Sequence, residues 1–175
     1  MRIATLLTTA GLALFGTVVF AQDITYDFDR AANFSRFKTY SWVRGTRVGD
    51  DLNHKRIVGA IDAQLASKGL TRNDAASGAD LLVAYHASFD RDLQINGFPS
   101  GWGPYAFGPG RSGTARVEEI LVGTLVVDLV DAKTETIVWR GTATKEINVK
   151  ANADKRDKEI KKGTEKLFRN YPPQR

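Results

Sequence analysis

His86, Ser88 and Asp90 stand at i, i+2 and i+4 and have the composition of a base, nucleophile and acid set. On a strand these positions share one face, but successive same-face residues lie about 6.6–6.8 Å apart. A nucleophile and its base need heavy atoms within about 3.2 Å, so the spacing describes a polar strand face better than a triad. Asp50, Asp51 and His54 have the donor types of a metal site at helical spacing. Two carboxylates opening a helix already serve as its cap, and a second histidine at a matching interval is missing. Gly101-Trp102-Gly103-Pro104 and Gly108-Pro109-Gly110 are rich in glycine. A phosphate loop would follow a strand, open a helix and carry Lys-Ser/Thr, and neither segment does. Asp128 and Asp131 sit beside a turn, whose chemistry accounts for them. The sequence thus predicts no catalytic set, no metal site and no cofactor.

One stretch stands apart. Between Gly97 and Gly110, the aromatics Phe98, Trp102, Tyr105 and Phe107 are set among five glycines and three prolines. Gly and Pro punctuate regular structure, so these aromatics either fold back onto the domain or form an adhesive patch for a partner, a glycan or a membrane interface.

The elements that hold these residues begin after an address label. Met1-Arg2 is basic, Ile3 through Phe20 is uncharged, and Val19-Phe20-Ala21 ends the run with small residues at the minus-three and minus-one positions. That layout is a secretory signal peptide over residues 1–21, leaving a single domain over 22–175. The expected location is outside the cytoplasm, periplasmic or envelope-associated. There are no cysteines. Disulfides, thiolate catalysis and zinc or iron–sulfur ligation by Cys are therefore excluded, as is lipid anchoring through an N-terminal cysteine.

The formal charge of +5 is not evenly spread. Lys145–Arg175 holds ten Lys or Arg against five Asp or Glu, while 22–144 holds fourteen against fifteen. Alternating signs in Lys155-Arg156-Asp157-Lys158-Glu159 suit a solvated helix face. Lys155, Lys158, Lys161 and Lys162 are the candidates for contact with an anionic lipid or glycan surface. No basic groove with interleaved aromatics and no known motif points to nucleic acid.

Ile24, Tyr26 and Phe28 alternate with polar residues as a half-buried strand, and Thr39–Val43 resumes the pattern. Asp50-Asp51 starts a helix whose apolar stripe is Ile57, Ile61 and Leu65, with Gly69 as its C-terminal cap and Leu70 beyond it. Leu81 through Phe89 alternates. Ile120 through Val130 is apolar on both faces, which places it mid-sheet, and Asp131–Thr134 turns it into a hairpin with Ile137–Ala143. Residues 90–117 form a long loop that is functional or mobile. A basic helix runs over 153–170, weakened at Gly163. The expected fold is α+β: a mainly antiparallel sheet of about five strands with helices packed on one face.

At this point the chain resembles the bacterial family known as domain of unknown function 4136. The resemblance is carried by Tyr26-Asp27-Phe28-Asp29, Phe37-Lys38-Thr39-Tyr40-Ser41-Trp42, Arg56-Ile57 through Leu70 and Ala79-Asp80-Leu81-Leu82-Val83. It continues through Gly123-Thr124-Leu125-Val126-Val127-Asp128-Leu129-Val130-Asp131 and Val138-Trp139-Arg140-Gly141-Thr142-Ala143. It implies a small exported envelope domain, often a lipoprotein, with a glycine- and aromatic-rich loop in the same place and no activity or site to carry over. This chain departs from the lipoprotein pattern by lacking the anchoring cysteine. The expectation is a non-enzymatic module that binds an envelope protein, a glycan or the membrane surface. Two alternatives are a hydrolase acting on an envelope polymer and a small-ligand site in a cleft under the 90–117 loop.

Overall fold

The computed structural model describes residues 23–74, 78–96 and 116–174, with side chains throughout except at 92–96 and 116–119. The described residues form six strands and two α-helices. Strand β1 covers Asp23–Phe28 and β2 Thr39–Trp42, followed by helix α1, Asp51–Ser67. Strands β3 (Thr71–Arg72), β4 (Leu81–Asn96), β5 (Arg116–Asp131) and β6 (Thr136–Glu146) lead to helix α2, Ala153–Leu167. The sheet order is β1-β6-β5-β4-β2-β3. The ladders from β1 to β4 are antiparallel, but β2 runs parallel to both β4 and β3. The sheet is therefore mixed and six-stranded, against an expectation of about five mainly antiparallel strands. The parallel pair follows from topology: β2 reaches β4 through α1, and a helical crossover returns the chain in the same direction.

Local chemistry explains α1. Asp50 caps it by accepting hydrogen bonds from the amides of Leu52 and Asn53, and Asp51 favours the positive end of the helix dipole. At the other end Gly69 takes φ 82. Its amide reaches Ala66 O and the Leu70 amide reaches Leu65 O, both at 3.0 Å. This pairing closes the helix in a Schellman cap. Ile57, Ile61 and Leu65 are buried as the stripe predicts. Helix α2 is capped by Asn152, whose side chain accepts from the Lys155 amide, and it ends at Leu167, three residues short of the expected boundary.

The core lies between the helices and one sheet face. Leu81, Val83, Tyr85, Val127, Leu129 and Trp139 meet Ile61 and Leu65 of α1, Leu167 of α2 and Phe168, the residue that caps α2. Trp139 stacks on Phe168 with centroids 5.0 Å apart, and Tyr171 meets Trp139 edge-on at 5.6 Å. Gly141 lets α2 come down: a Cβ there would strike the Trp139 ring and lie 2.7 Å from Leu167 Cδ1. On this side of β5, Val127 and Leu129 are buried. Val122, Val126 and Val130, on the opposite face, are half-exposed.

The largest correction concerns residues 90–117. The β4–β5 ladder continues through Asp90↔Val122 to Asn96↔Arg116, so both ends of the expected loop are strand. β6 follows β5 only as far as Val122↔Glu146. Beyond that point β4 and β5 run on as a two-stranded ribbon.

Candidate functional site

Where the ribbon leaves the sheet, the two helices and the sheet border a cleft of about 340 Å³. Ala87 and Phe89 of β4, Gly123 and Leu125 of β5, and Ala143 and Lys145 of β6 line the sheet side. Registers Ala87↔Leu125 and Phe89↔Gly123 place the first four side by side, with Ala143 next to Leu125. Helix α1 contributes Asn53 and Ile57, and α2 contributes Arg156, Glu159 and Ile160. Val48 and the segment Ile147–Val149 close the sides. The volume falls within the roughly 300–1,000 Å³ range of small-molecule sites, which are mostly apolar with a few placed polar groups.

The charges are few and mostly engaged. Lys145 Nζ meets Glu159 Oε2 at 3.1 Å. Arg156 donates from Nε to Ala151 O at 3.0 Å. Asn53 accepts from Arg56 Nη1 at 2.9 Å, and Thr164 Oγ1 donates back to the helix carbonyls of Ile160 and Lys161. The cleft can therefore hold an apolar body and fix one polar end, and its described lining brings no nucleophile against a base.

The residues singled out in the sequence do not meet there as a set. His86, Ser88 and Asp90 lie on the sheet face away from the helices. The Thr46 amide donates to His86 Nδ1 at 3.2 Å, which leaves the neutral ring's proton on Nε2, 3.7 Å from Asp128 Oδ2. Ser88 and Asp90 are exposed. Asp50 serves as the α1 cap, while His54 Nδ1 is joined to Tyr85 Oη at 2.7 Å with the rings stacked. Among the described residues no group of three His, Cys, Asp or Glu is placed to hold a metal ion.

Turn chemistry explains only one of the two aspartates near the β5–β6 turn. Asp131 accepts from the Lys133 amide at 3.0 Å and also pairs with Arg36. Asp128 is instead an ion-pair partner, buried beneath Arg140 on the open face.

Lys155, Lys158, Lys161 and Lys162 are all exposed along α2, with Lys161 paired to Asp157 at 2.7 Å. Phe98, Trp102, Tyr105 and Phe107 lie outside the described residues, as does the signal segment 1–21.

A second cluster escaped the sequence reading. Asp62 of α1 accepts from Tyr40 Oη at 2.7 Å, Trp42 Nε1 at 2.8 Å and Arg72 Nη1 at 2.9 Å. Burial, reinforced by Asp62, pushes the Tyr40 phenol well above its ordinary range. A broad open hollow of about 580 Å³ lies over this cluster, but its polar groups are already spent on one another.

Residues 24–173 match the family model of DUF4136, a domain of unknown function. The chain belongs to the DUF4136 family. A solved DUF4136 family protein from Bacteroides thetaiotaomicron has the same fold at 19% identity and a TM-score of 0.54, covering 86% of this chain and 96% of that one. The PelC dodecamer of Paraburkholderia phytofirmans aligns at 10% identity and a TM-score of 0.52, over 85% of this DUF4136 chain and 96% of PelC. A PDZ domain protein from Parabacteroides distasonis gives 14% identity and a TM-score of 0.57 over 88% of this chain. This DUF4136 chain spans 37% of that protein's length. At these identities the likeness is one of fold. No curated protein matches the DUF4136 chain in sequence.

Proposed function

We propose that this DUF4136 domain is a non-enzymatic, exported and envelope-associated binding module, and that its ligand site is the cleft between the helices and the sheet. The observation that carries this reading is the cleft itself: an apolar floor of Ala87, Leu125 and Ala143 under a roof of Ile57 and Ile160, edged by Lys145 and Arg156. It lies between sheet and helices, a different boundary from the one expected beneath the 90–117 segment. Hydrolysis of an envelope polymer draws less support. Asp62, Asp80, Asp128 and Asp131 each accept hydrogen bonds from neighbours that hold the fold together, and both histidines are engaged.

Export rests on the basic, apolar and small-residue layout of residues 1–21. Contact with an envelope partner, a glycan or the membrane surface is assigned to two elements. These are the aromatics Phe98, Trp102, Tyr105 and Phe107 and the exposed lysines of α2 at 155, 158, 161 and 162.

The test of the ligand reading is organic extraction of the protein purified from the envelope, followed by mass spectrometry. Near-stoichiometric small molecule in the wild type and none in Ala87→Phe, where the new ring fills the floor, is the expected result. Equal recovery from both proteins would remove the cleft as the site. Capture of an envelope protein that is unchanged by deleting residues 97–110 would remove the aromatic segment as the partner-facing element.

A further inference from the structure

We infer that the cleft takes a single-chain anionic amphiphile, with its hydrocarbon tail along the sheet floor and its acidic head at Arg156; this rests on the cleft reading above. Four observations converge on that chemistry. The interior is built from Val48, Ile57, Ala87, Leu125, Ala143 and Ile160, a lining that favours hydrocarbon over a polar metabolite. The lining also includes two exposed apolar side chains, Phe89 at 53% and Val149 at 62% exposure. A polar ligand would gain nothing from either, whereas a tail entering between them would cover both.

The size fits as well. One water occupies about 30 Å³ of the liquid and a methylene is similar, so the 340 Å³ cleft accommodates a tail of roughly ten carbons. Gly123 lets the Ile147 side chain pack down onto the sheet at the cleft's edge: a Cβ there would stand 2.8 Å from Ile147 Cδ1 and 3.5 Å from Phe89 Cε1.

Charge selects the head. Glu159 is the one carboxylate lining the described cleft, and Lys145 already neutralises it at 3.1 Å. Among the described residues, the Arg156 side chain is held through Nε, on Ala151 O. Among the described residues no carboxylate meets its guanidinium, so its Nη donors can grip an anion. A guanidinium fork matches the planar oxygens of a carboxylate or phosphate. A cationic head would instead meet Arg156 and Lys145 as like charges.

Calorimetric titration of the whole purified protein with dodecyl phosphate and with dodecyltrimethylammonium, each kept below its micelle concentration, tests the inference. Saturable one-to-one binding of dodecyl phosphate is expected, at least tenfold tighter than the cation. Arg156→Glu, at a half-buried helix position, should weaken the phosphate at least tenfold and abolish the preference. Phe89→Asp at the mouth should weaken both amphiphiles without disturbing the fold, and so should the floor-filling Ala87→Phe. Equal binding of both heads, or indifference to Arg156→Glu, overturns the headgroup assignment while leaving the cleft reading intact. Indifference to both Phe89→Asp and Ala87→Phe overturns the cleft reading itself. Absence of dodecyl phosphate binding to the wild type overturns the amphiphile assignment alone, because extraction from the envelope judges the cleft independently.

Discussion

Arg140 grips Asp128 across the β5–β6 ladder, with Nε on Oδ1 at 2.6 Å and Nη2 on Oδ2 at 2.8 Å. The carboxylate is buried although it sits on the sheet face turned away from the helices, because the Arg140 side chain lies over it. The pair raises the Arg140 guanidinium above its ordinary value, through the hydrogen bond first and the charge second. Removing the arginine takes away both hydrogen bonds and opens the acid to water, with His86 Nε2 3.7 Å away. Arg140→Ala should cost about 1 kcal/mol, the scale of an ion pair whose arginine is half exposed and whose acid rehydrates. Arg140→Ala combined with Asp128→Asn should recover part of it. Urea unfolding of the four proteins in a double-mutant cycle measures the coupling.

Asp62 is the hub of a different network. It gathers a tyrosine and a tryptophan from β2 and an arginine from β3 onto α1, tying the helix to the parallel edge of the sheet. Asp62→Ala strands the Tyr40 hydroxyl and the Trp42 indole N–H, and a loss of about 2–3 kcal/mol is expected from hydrogen bonds to a charged group. Trp42 emission should shift in the same variant. An unchanged midpoint of urea unfolding would show that the hub does not stabilise the fold.

Alkaline pH should unfold this protein in a defined direction. Burial raises the phenols of Tyr40, Tyr171 and Tyr85, and at Tyr40 the Asp62 carboxylate adds to it. In the unfolded chain each ionises near about pH 10, while the native state keeps the proton longer. Above that pH the unfolded state binds fewer protons, so stability falls as pH rises. Tyr171→Phe should flatten this limb in urea titrations between pH 9 and about 11. Asp80 works oppositely: the amides of Lys38 and Thr39, at 2.8 and 2.9 Å, hold its carboxyl below the usual range. Its contribution is present above about pH 4 and is lost as pH falls through the lowered value. Asp80→Asn should remove that acid dependence.

Two glycines separate backbone demands from packing demands. Gly69 has φ 82 with open space around it. Gly69→Ala should therefore cost about 1–2 kcal/mol through the left-handed backbone alone, and Gly69→Asn less. Gly141 sits under Trp139 and Leu167. Gly141→Ala should cost about 1–3 kcal/mol by overpacking, and truncating Leu167 in the same protein should relieve part of that. Thermal melts of the three single variants and the Gly141/Leu167 pair check both mechanisms.

Elements with a self-contained signal were legible in the sequence. Helix α1 announced itself through Asp50, its apolar stripe and Gly69, and the β5–β6 hairpin through its alternation around a turn. β3 was invisible because two exposed residues, Thr71 and Arg72, carry no periodicity, and their pairing with β2 depends on where α1 delivers the chain. The β4–β5 ribbon was misjudged for another reason. Three charged residues, Asp90-Arg91-Asp92, interrupt the apolar alternation of β4 and hide its resumption at Leu93 and Ile95. The cleft was not legible at all. Its walls come from β4, β5, β6, both helices and two connecting segments, and only the fold brings Ala87 under Ile160. The aspartate hub was hidden in the same way, because Tyr40, Asp62 and Arg72 belong to three elements.

The ligand site is the central claim, and methyl-resolved NMR tests it most directly. Dodecyl phosphate is titrated into the full protein while the isoleucine and leucine methyls are followed. Saturable shifts confined to Ile57, Leu125, Ile147 and Ile160, with Leu81 and Leu129 of the closed core unmoved, are the predicted result. Saturation that moves other methyls and leaves those four in place would contradict it.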